Sequence, residues 1–233
     1  MTNSQDELKR LAGEMATQQV RSGMVVGLGF GSTAIHALRA IGAKIQSGEL
    51  QDVYGIPTAD SIAHDASSAG IPLTTLEDNP EIDITIDGAD EVDPHLNLIK
   101  GGGGALLREK IVAQASARLI IVIDESKMSN QLGTLFRLPV EVIAFGWGSQ
   151  IRFLEELGAR VGRRENAKGT PFLTDSGNYI LDCDFGAIGD PSKLGRELES
   201  RAGIVEHGLF LNLADEVIVG GSDGIRTHLR EEL

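Results

Sequence analysis

The chain has 233 residues, 41% of them hydrophobic and 24% charged, with a formal net charge of −13. That length and balance allow one large globular domain, or one with a smaller domain attached. The acidic surplus excludes general binding to nucleic acid or anionic membrane, which needs basic surface, while leaving room for a local basic pocket. The single cysteine, Cys183, excludes an internal disulfide and zinc-finger spacings. The opening MTNSQDELKRLAGEMATQQV lacks the charged-then-apolar order of a signal segment, and no run approaches the ~18 apolar residues of a membrane span. The expectation is a soluble, cytoplasmic protein.

In chain order, Leu8, Leu11, Met15 and Val20 recur at roughly helical spacing over residues 6–21. MVVGLG (24–29) is a short apolar run ending in glycines, and STAIHALRAIGAKI resumes helical spacing through Ile35, Leu38, Ile41 and Ile45. The strand–loop–helix unit repeats. DVYGIPT precedes ADSIAHDASSAG, IDITID (82–87) precedes a run of four glycines and ALLREKIVAQASA, and RLIIVID (118–124) is a further buried strand. Strands alternating with helices imply a parallel sheet covered on both faces. After about residue 133 the course becomes strand–helix–strand–strand–helix, with a hairpin signal at Asp175, Ser176, Gly177 and Asn178. ADEVIVGG (214–221) reads as a strand returning to the first sheet. The fold class is α/β: a Rossmann-like parallel-sheet domain from residues 1–133 plus 206–233, with a smaller α/β domain inserted at 134–205.

Ligands of open parallel sheets bind beyond the carboxyl ends of the strands. The loops to inspect are therefore GLGFGSTA (27–34), PTADS (57–61), DGAD (87–90) and DESK (124–127). GLGFGST has the wrong glycine spacing for a dinucleotide fingerprint and no lysine for a Walker loop. What remains is a glycine turn into a helix N-terminus, where Ser32 and Thr33 either help to hold one phosphate or merely cap the helix.

DGADEVDPHLNLIKGGGGALLREK (87–110) sets Asp87, Asp90, Glu91 and Asp93 beside four glycines. A phosphate there would be repelled. Crowded carboxylates raise one another's pKa and accept hydrogen bonds from sugar hydroxyls; the alternative is a solvated Asp-rich turn. The spacing does not match a calcium loop, so no metal is expected. By spacing alone, Glu109 is an exposed charge favoured by the positive helix end, and Lys127 an ordinary surface lysine. The five histidines have no ligand or triad spacing, Cys183 reads as core, and Trp147 as packing or interface.

Taken together, GLGFGSTA, IDGADEVDPHLNLIKGGGGALLREKIVA, DESKMSNQLG, LPVEVIAFG, TDSGNYILD and GLFLNLADEVIVG resemble the ribose-5-phosphate isomerase A family. They occur in family order over nearly the whole chain, and the second block is long and specific. The resemblance implies an aldose–ketose isomerase interconverting D-ribose 5-phosphate and D-ribulose 5-phosphate in the pentose phosphate pathway. It implies no metal or cofactor, and a homodimer or homotetramer.

Glu109 matches the family's catalytic glutamate, and Asp87, Asp90 and Lys100 match residues around the reacting end of the sugar. Phe30, Gly31, Ser32, Thr33, Gly88, Ala89, Gly101, Gly102, Gly103 and Lys127 match substrate-binding positions, with the phosphate expected near Ser32, Thr33 and Lys127. For Glu109 to serve as a base at neutral pH, partial burial and a neighbouring Asp87 or Asp90 should raise its pKa. The family commonly carries threonine where this chain has Phe30, and a small or hydroxylic residue where it has Ala59. Both departures bear on substrate affinity more than on reaction type. Two alternatives stand beside this reading. One is a non-catalytic sugar-phosphate sensor, for which the roughly twenty residues before MVVGLG are too short a DNA-binding module. The other is an isomerase of a different sugar phosphate.

Overall fold

The computed structural model describes residues 5–230. In chain order the elements begin α1 (Gln5–Ala16), β1 (Val25–Leu28), α2 (Ala34–Gln46), β2 (Tyr54–Pro57), α3 (Asp60–Ser68), β3 (Ile84–Asp87), β4 (Glu91–Val92) and β5 (Leu98–Ile99). There follow α4 (Leu106–Gln114), β6 (Leu119–Asp124), a 3-10 turn (Glu125–Lys127), β7 (Leu138–Val142), α5 (Trp147–Glu156) and β8 (Arg160–Arg163). The chain ends with β9 (Tyr179–Asp184), α6 (Pro191–Glu199), β10 (Ile204–His207), β11 (Leu209–Phe210), β12 (Glu216–Gly221) and β13 (Gly224–Leu229). No helix among the described residues is long and apolar enough to cross a membrane.

These elements form two compact units. The first comprises residues 5–89, 108–127 and 213–230, and the second Asp90–Leu107 and Met128–Asn212. The second unit thus takes in residues 90–107 as well as all of the stretch 134–205 that the sequence marks as inserted, with a few residues on either side of it.

The first unit is built on a six-stranded sheet in the order β13-β12-β6-β3-β1-β2. All neighbours pair parallel except the β12–β13 hairpin at the edge. Leu119–Ile123 of β6 and Val217–Val219 of β12 are buried throughout, as strands covered on both faces must be. Burying each such side chain stabilises by about 1.5–3 kcal/mol. β1 lies between β2 and β3; the chain leaves β1 towards β2 on one side, and the next strand of this sheet after β3 is β6 on the other. The carboxyl ends of β1 and β3 are therefore a topological switch point, where the loops diverge and open a crevice.

α1 departs from its expected face. Leu8, Ala12, Gly13 and Ala16 are buried, while Met15 is 39% exposed. Small residues let this helix approach its neighbours closely: a Cβ on Gly13 would lie 2.8 Å from the Ala37 amide of α2. A pattern weighted towards large side chains misplaces such a face.

The second unit holds an antiparallel sheet, β10-β7-β9-β8, and a small sheet, β11-β5-β4. Its core joins Leu138, Val140 and Val142 of β7 to Leu181 and Cys183 of β9, with Leu154 of α5 and Leu198 of α6. Burial, with Asp182 beside it, pushes the Cys183 thiol well above its ordinary pKa. Trp147 packs on this core and meets Tyr179 edge to face at 6.3 Å. The turn at 175–177 is present, closed by Thr174 and Asn178, but residues 171–173 before it form no strand. Only a single bridge, Glu165 to Pro171, forms there, because β9 pairs instead with β8.

Candidate active site

Asp87 closes β3 at the switch point and is buried. Its Oδ1 accepts the Phe30 amide at 3.0 Å and the Gly88 amide at 2.7 Å. The loop after β1 is thereby laid directly against the carboxylate. Only glycine fits at position 29, where a Cβ would lie 2.3 Å from Asp87 Oδ1 and 2.4 Å from its Cα. Phe30 makes this contact through its backbone, so a phenyl ring in place of threonine leaves it intact.

Ser32 and Thr33 lead into α2. Thr33 holds the N-cap position with helical backbone angles and makes no side-chain cap bond, so the capping alternative fails for it. The Ser32 hydroxyl accepts from Lys9 Nζ of α1 at 3.0 Å. Lys9 also faces Asp124 Oδ2 at 3.8 Å. Asp124 ends β6, and its Oδ1 takes the Ser126 amide at 3.0 Å and the Ser126 hydroxyl at 2.5 Å, bracing the 3-10 turn that carries Lys127. Burial pushes the Asp124 carboxyl up, but Ser126, Gln5 and Lys9 outweigh it and hold the group below the ordinary carboxylate range. Asp124 is therefore ionised at neutral pH, and Lys9 bridges the starts of two loops, at Ser32 and at Asp124.

The remaining loop at this edge is tied down at several points, with Arg108 donating to Asp60 Oδ1 at 2.6 Å. Thr58 gives its hydroxyl to the Leu28 carbonyl at 3.0 Å, and Ala59 is the N-cap residue of α3 without a side-chain cap.

Glu109 stands in the first turn of α4 and is only 3% exposed. Helical spacing alone makes it a solvated surface charge. A carboxylate at that depth requires partners or a function.

In the second unit, Asp90 and Lys100 flank the small sheet. The Asp90 amide donates to Ile99 O, and the Lys100 amide to Gly208 O, both at 2.9 Å. Lys100 is buried with its Nζ 5.6 Å from the centre of the Phe210 ring. Asp90 Oδ2 accepts the Gly102 amide at 2.7 Å. Gly101 has φ +106°, and a Cβ there would strike Leu106 at 2.7 Å, so the chain can turn here only at glycine. Gly102 and Gly103 are exposed.

The acidic residues of the 87–110 stretch thus have different employments. Glu91 accepts the amides of Gly133, Thr134, Leu135 and Phe136 and fixes that loop. Asp93 accepts from the amides of His95 and Asn97 and from the Asn97 side chain, closing a local turn. Among the described residues, no three His, Cys, Asp or Glu side chains gather as a metal site.

The sequence profile of ribose 5-phosphate isomerase A (phosphoriboisomerase A) matches residues 54–224. The chain belongs to the ribose-5-phosphate isomerase A family.

A ribose-5-phosphate isomerase A of Desulfatibacillum aliphaticivorans is 58% identical over 223 residues, covering 96% of this chain and 97% of that one. The ribose 5-phosphate isomerase of Plasmodium falciparum superposes with a TM-score of 0.94 at 41% identity, over 97% of this chain and 100% of its own. A D-ribose-5-phosphate isomerase in complex with phospho-erythronic acid superposes with a TM-score of 0.96 at 38% identity, over 98% of this chain and 100% of its own. The ribose-5-phosphate isomerase A family thereby carries the fold and the enzyme class expected from the sequence.

Within this isomerase the first unit joins Asp87 to the Phe30 amide and Gly88, and sets Ser32 beside Lys9. The second unit joins Asp90 to Gly102. Ala89 is half-buried at the end of the first unit's opening segment. Lys9 is not marked in the sequence, and Asp124 is marked only as the start of the loop DESK, with no role. Lys9 follows Leu8 on a helix whose buried face is small residues, so neither spacing nor hydrophobicity marks it. Asp124 was visible as the last residue of an apolar strand.

Proposed function

We propose that the chain catalyses the family reaction, interconverting D-ribose 5-phosphate and D-ribulose 5-phosphate, through the following division of roles. Asp87 assists ring opening, passing the proton of the anomeric hydroxyl to the ring oxygen as the C1–O4 bond breaks. Glu109 then removes the proton from C2 and returns it to C1, while the hydroxyl proton passes from O2 to O1. One carboxylate serving both steps needs no separate acid and base, and positioned proton transfer contributes about 10²–10⁴-fold. Lys100 and the glycine N–H groups stabilise the enediolate oxygen, and Asp90 holds sugar hydroxyls. Ser32, Thr33 and Lys127, joined by Lys9, bind the phosphate.

The observation that carries this reading is the burial of Glu109 in the first turn of α4, the residue that the sequence resemblance matches to the family's catalytic glutamate. A sensor has no use for such a carboxylate, and 58% identity to an isomerase over almost the full length favours catalysis over sensing. The enzyme works in the cytoplasm as a homodimer or homotetramer and needs no metal or cofactor, as the family resemblance supports. Chelator-treated protein should convert ribose 5-phosphate to ribulose 5-phosphate. No turnover overturns the assignment, turnover only with added metal overturns its cofactor-free part, and a monomer by light scattering overturns the assembly.

A further inference from the structure

Arg164, in the second unit, has no part in the roles above. It lies just after β8, and its side chain is 14% exposed. Its Nε and Nη2 grip Asp182 of β9 in a fork, at 3.0 Å to Oδ2 and 2.5 Å to Oδ1. Its Nη1 donates to the carbonyls of Gly101 at 2.8 Å and Gly102 at 3.0 Å. The backbone of Arg164 is held on both sides, its amide by Ile180 O at 2.8 Å and its carbonyl by the Phe172 amide at 3.0 Å. The guanidinium is therefore a fixed object against which the glycine run is set.

We propose that Arg164 is a positioning residue for the isomerisation: by holding two successive carbonyls of the glycine run, it sets the Gly102 amide on Asp90 and turns the Gly103 amide towards the substrate oxyanion. A trans peptide is planar with its C=O and N–H pointing in opposite directions. Capture of the Gly101 carbonyl thus aims the Gly102 amide away from Arg164, and that amide is the one bonded to Asp90. Capture of the Gly102 carbonyl aims the Gly103 amide in the same way. Gly103 is exposed, and its amide has no hydrogen-bond partner among the described residues. It is the donor left for an oxygen that gains charge during the reaction.

A cation on the carbonyl side also draws electron density along both peptides, which strengthens the N–H groups as donors. Because the enediolate charge exists only between substrate and product, the effect belongs to kcat rather than to KM. The fork to Asp182 holds the guanidinium plane, which a lysine would not reproduce.

This inference rests on the acid–base reading above, and its test separates the two. Arg164→Met retains side-chain length and removes the guanidinium. In the full-length enzyme, kcat for ribose 5-phosphate should fall about 100-fold, the scale of losing an oxyanion donor, with KM within about threefold of the parent. Inhibition by phospho-erythronic acid, whose carboxylate presents two charged oxygens as the enediolate does, should weaken by a similar factor. The amide resonances of Gly102 and Gly103 should move in ¹H–¹⁵N spectra. A folded variant whose kcat stays within threefold overturns the proposal, as does a fall in kcat with undiminished inhibition. If Arg164→Met does not fold, Arg164→Lys carries the test, with about a tenfold fall in kcat expected and an unchanged kcat overturning the idea. Glu109→Gln run in parallel distinguishes the failures. If that variant is inactive and Arg164→Met is normal, the Arg164 inference alone falls; if it turns over normally, the acid–base reading falls.

Discussion

Two glycine-rich loops of this enzyme solve opposite problems. At Gly29–Phe30, glycine lets the backbone lie against Asp87, and the loop spends an amide on the protein's own carboxylate. The phosphate role proposed for this loop therefore falls to the helix start beyond it, with Lys9 of α1 beside Ser32. At Gly101–Gly103, glycine permits a positive φ, and the carbonyls are the edge that the protein captures. Glycine content alone says that the backbone comes close to something. Which peptide edge is offered depends on the residue that grips the other edge.

The largest test of this contrast leaves both loops intact. Glu109→Gln should lower kcat by about 10²–10⁴-fold with phosphorylated ligands still bound, measured by steady-state rates and inhibitor binding. A small loss would mean that a loop, and not Glu109, supplies the chemistry. Next comes Gly101→Ala. The strained φ and the clash with Leu106 should rotate the captured peptides and cost roughly 10²-fold in kcat at modest change in KM. A rise in KM alone would make this loop a binding cradle like the other.

Lys9→Met acts on the first loop and should raise KM about tenfold to a hundredfold while sparing kcat, the range expected for one charge-assisted hydrogen bond. Loss of kcat without loss of affinity would place the phosphate elsewhere. The smallest effect belongs to Phe30→Thr. Because the contact to Asp87 runs through the Phe30 amide, kcat should stay within about twofold and KM within about fivefold, read from the same rate curves. A larger change in kcat would give the phenyl ring a role that the backbone contact does not.

Much of this was legible beforehand, for physical reasons. RLIIVID and ADEVIVGG read as strands because a strand buried on both faces cannot alternate, and Asp87 and Asp124 stand out as charges ending such runs. The two-residue strands β4, β5 and β11 are too short to show any period. The depth of Glu109 was hidden because a helix surface pattern does not record what covers it. Arg164 was hidden for a different reason: its partners Gly101 and Gly102 lie 63 and 62 residues away in the chain. Lys9 likewise meets Ser32 across 23 residues, and only folding pairs them.

The enzyme's one sulfhydryl has a practical consequence for anyone who wishes to watch it work. Cys183 is sealed in the core of the second unit with its ionisation suppressed, and the thiolate is the form that alkylating dyes attack. The native fold is thus a blank background for maleimide chemistry. A cysteine installed at Phe145, which is 87% exposed, would take a fluorophore at a single address without removal of the native thiol.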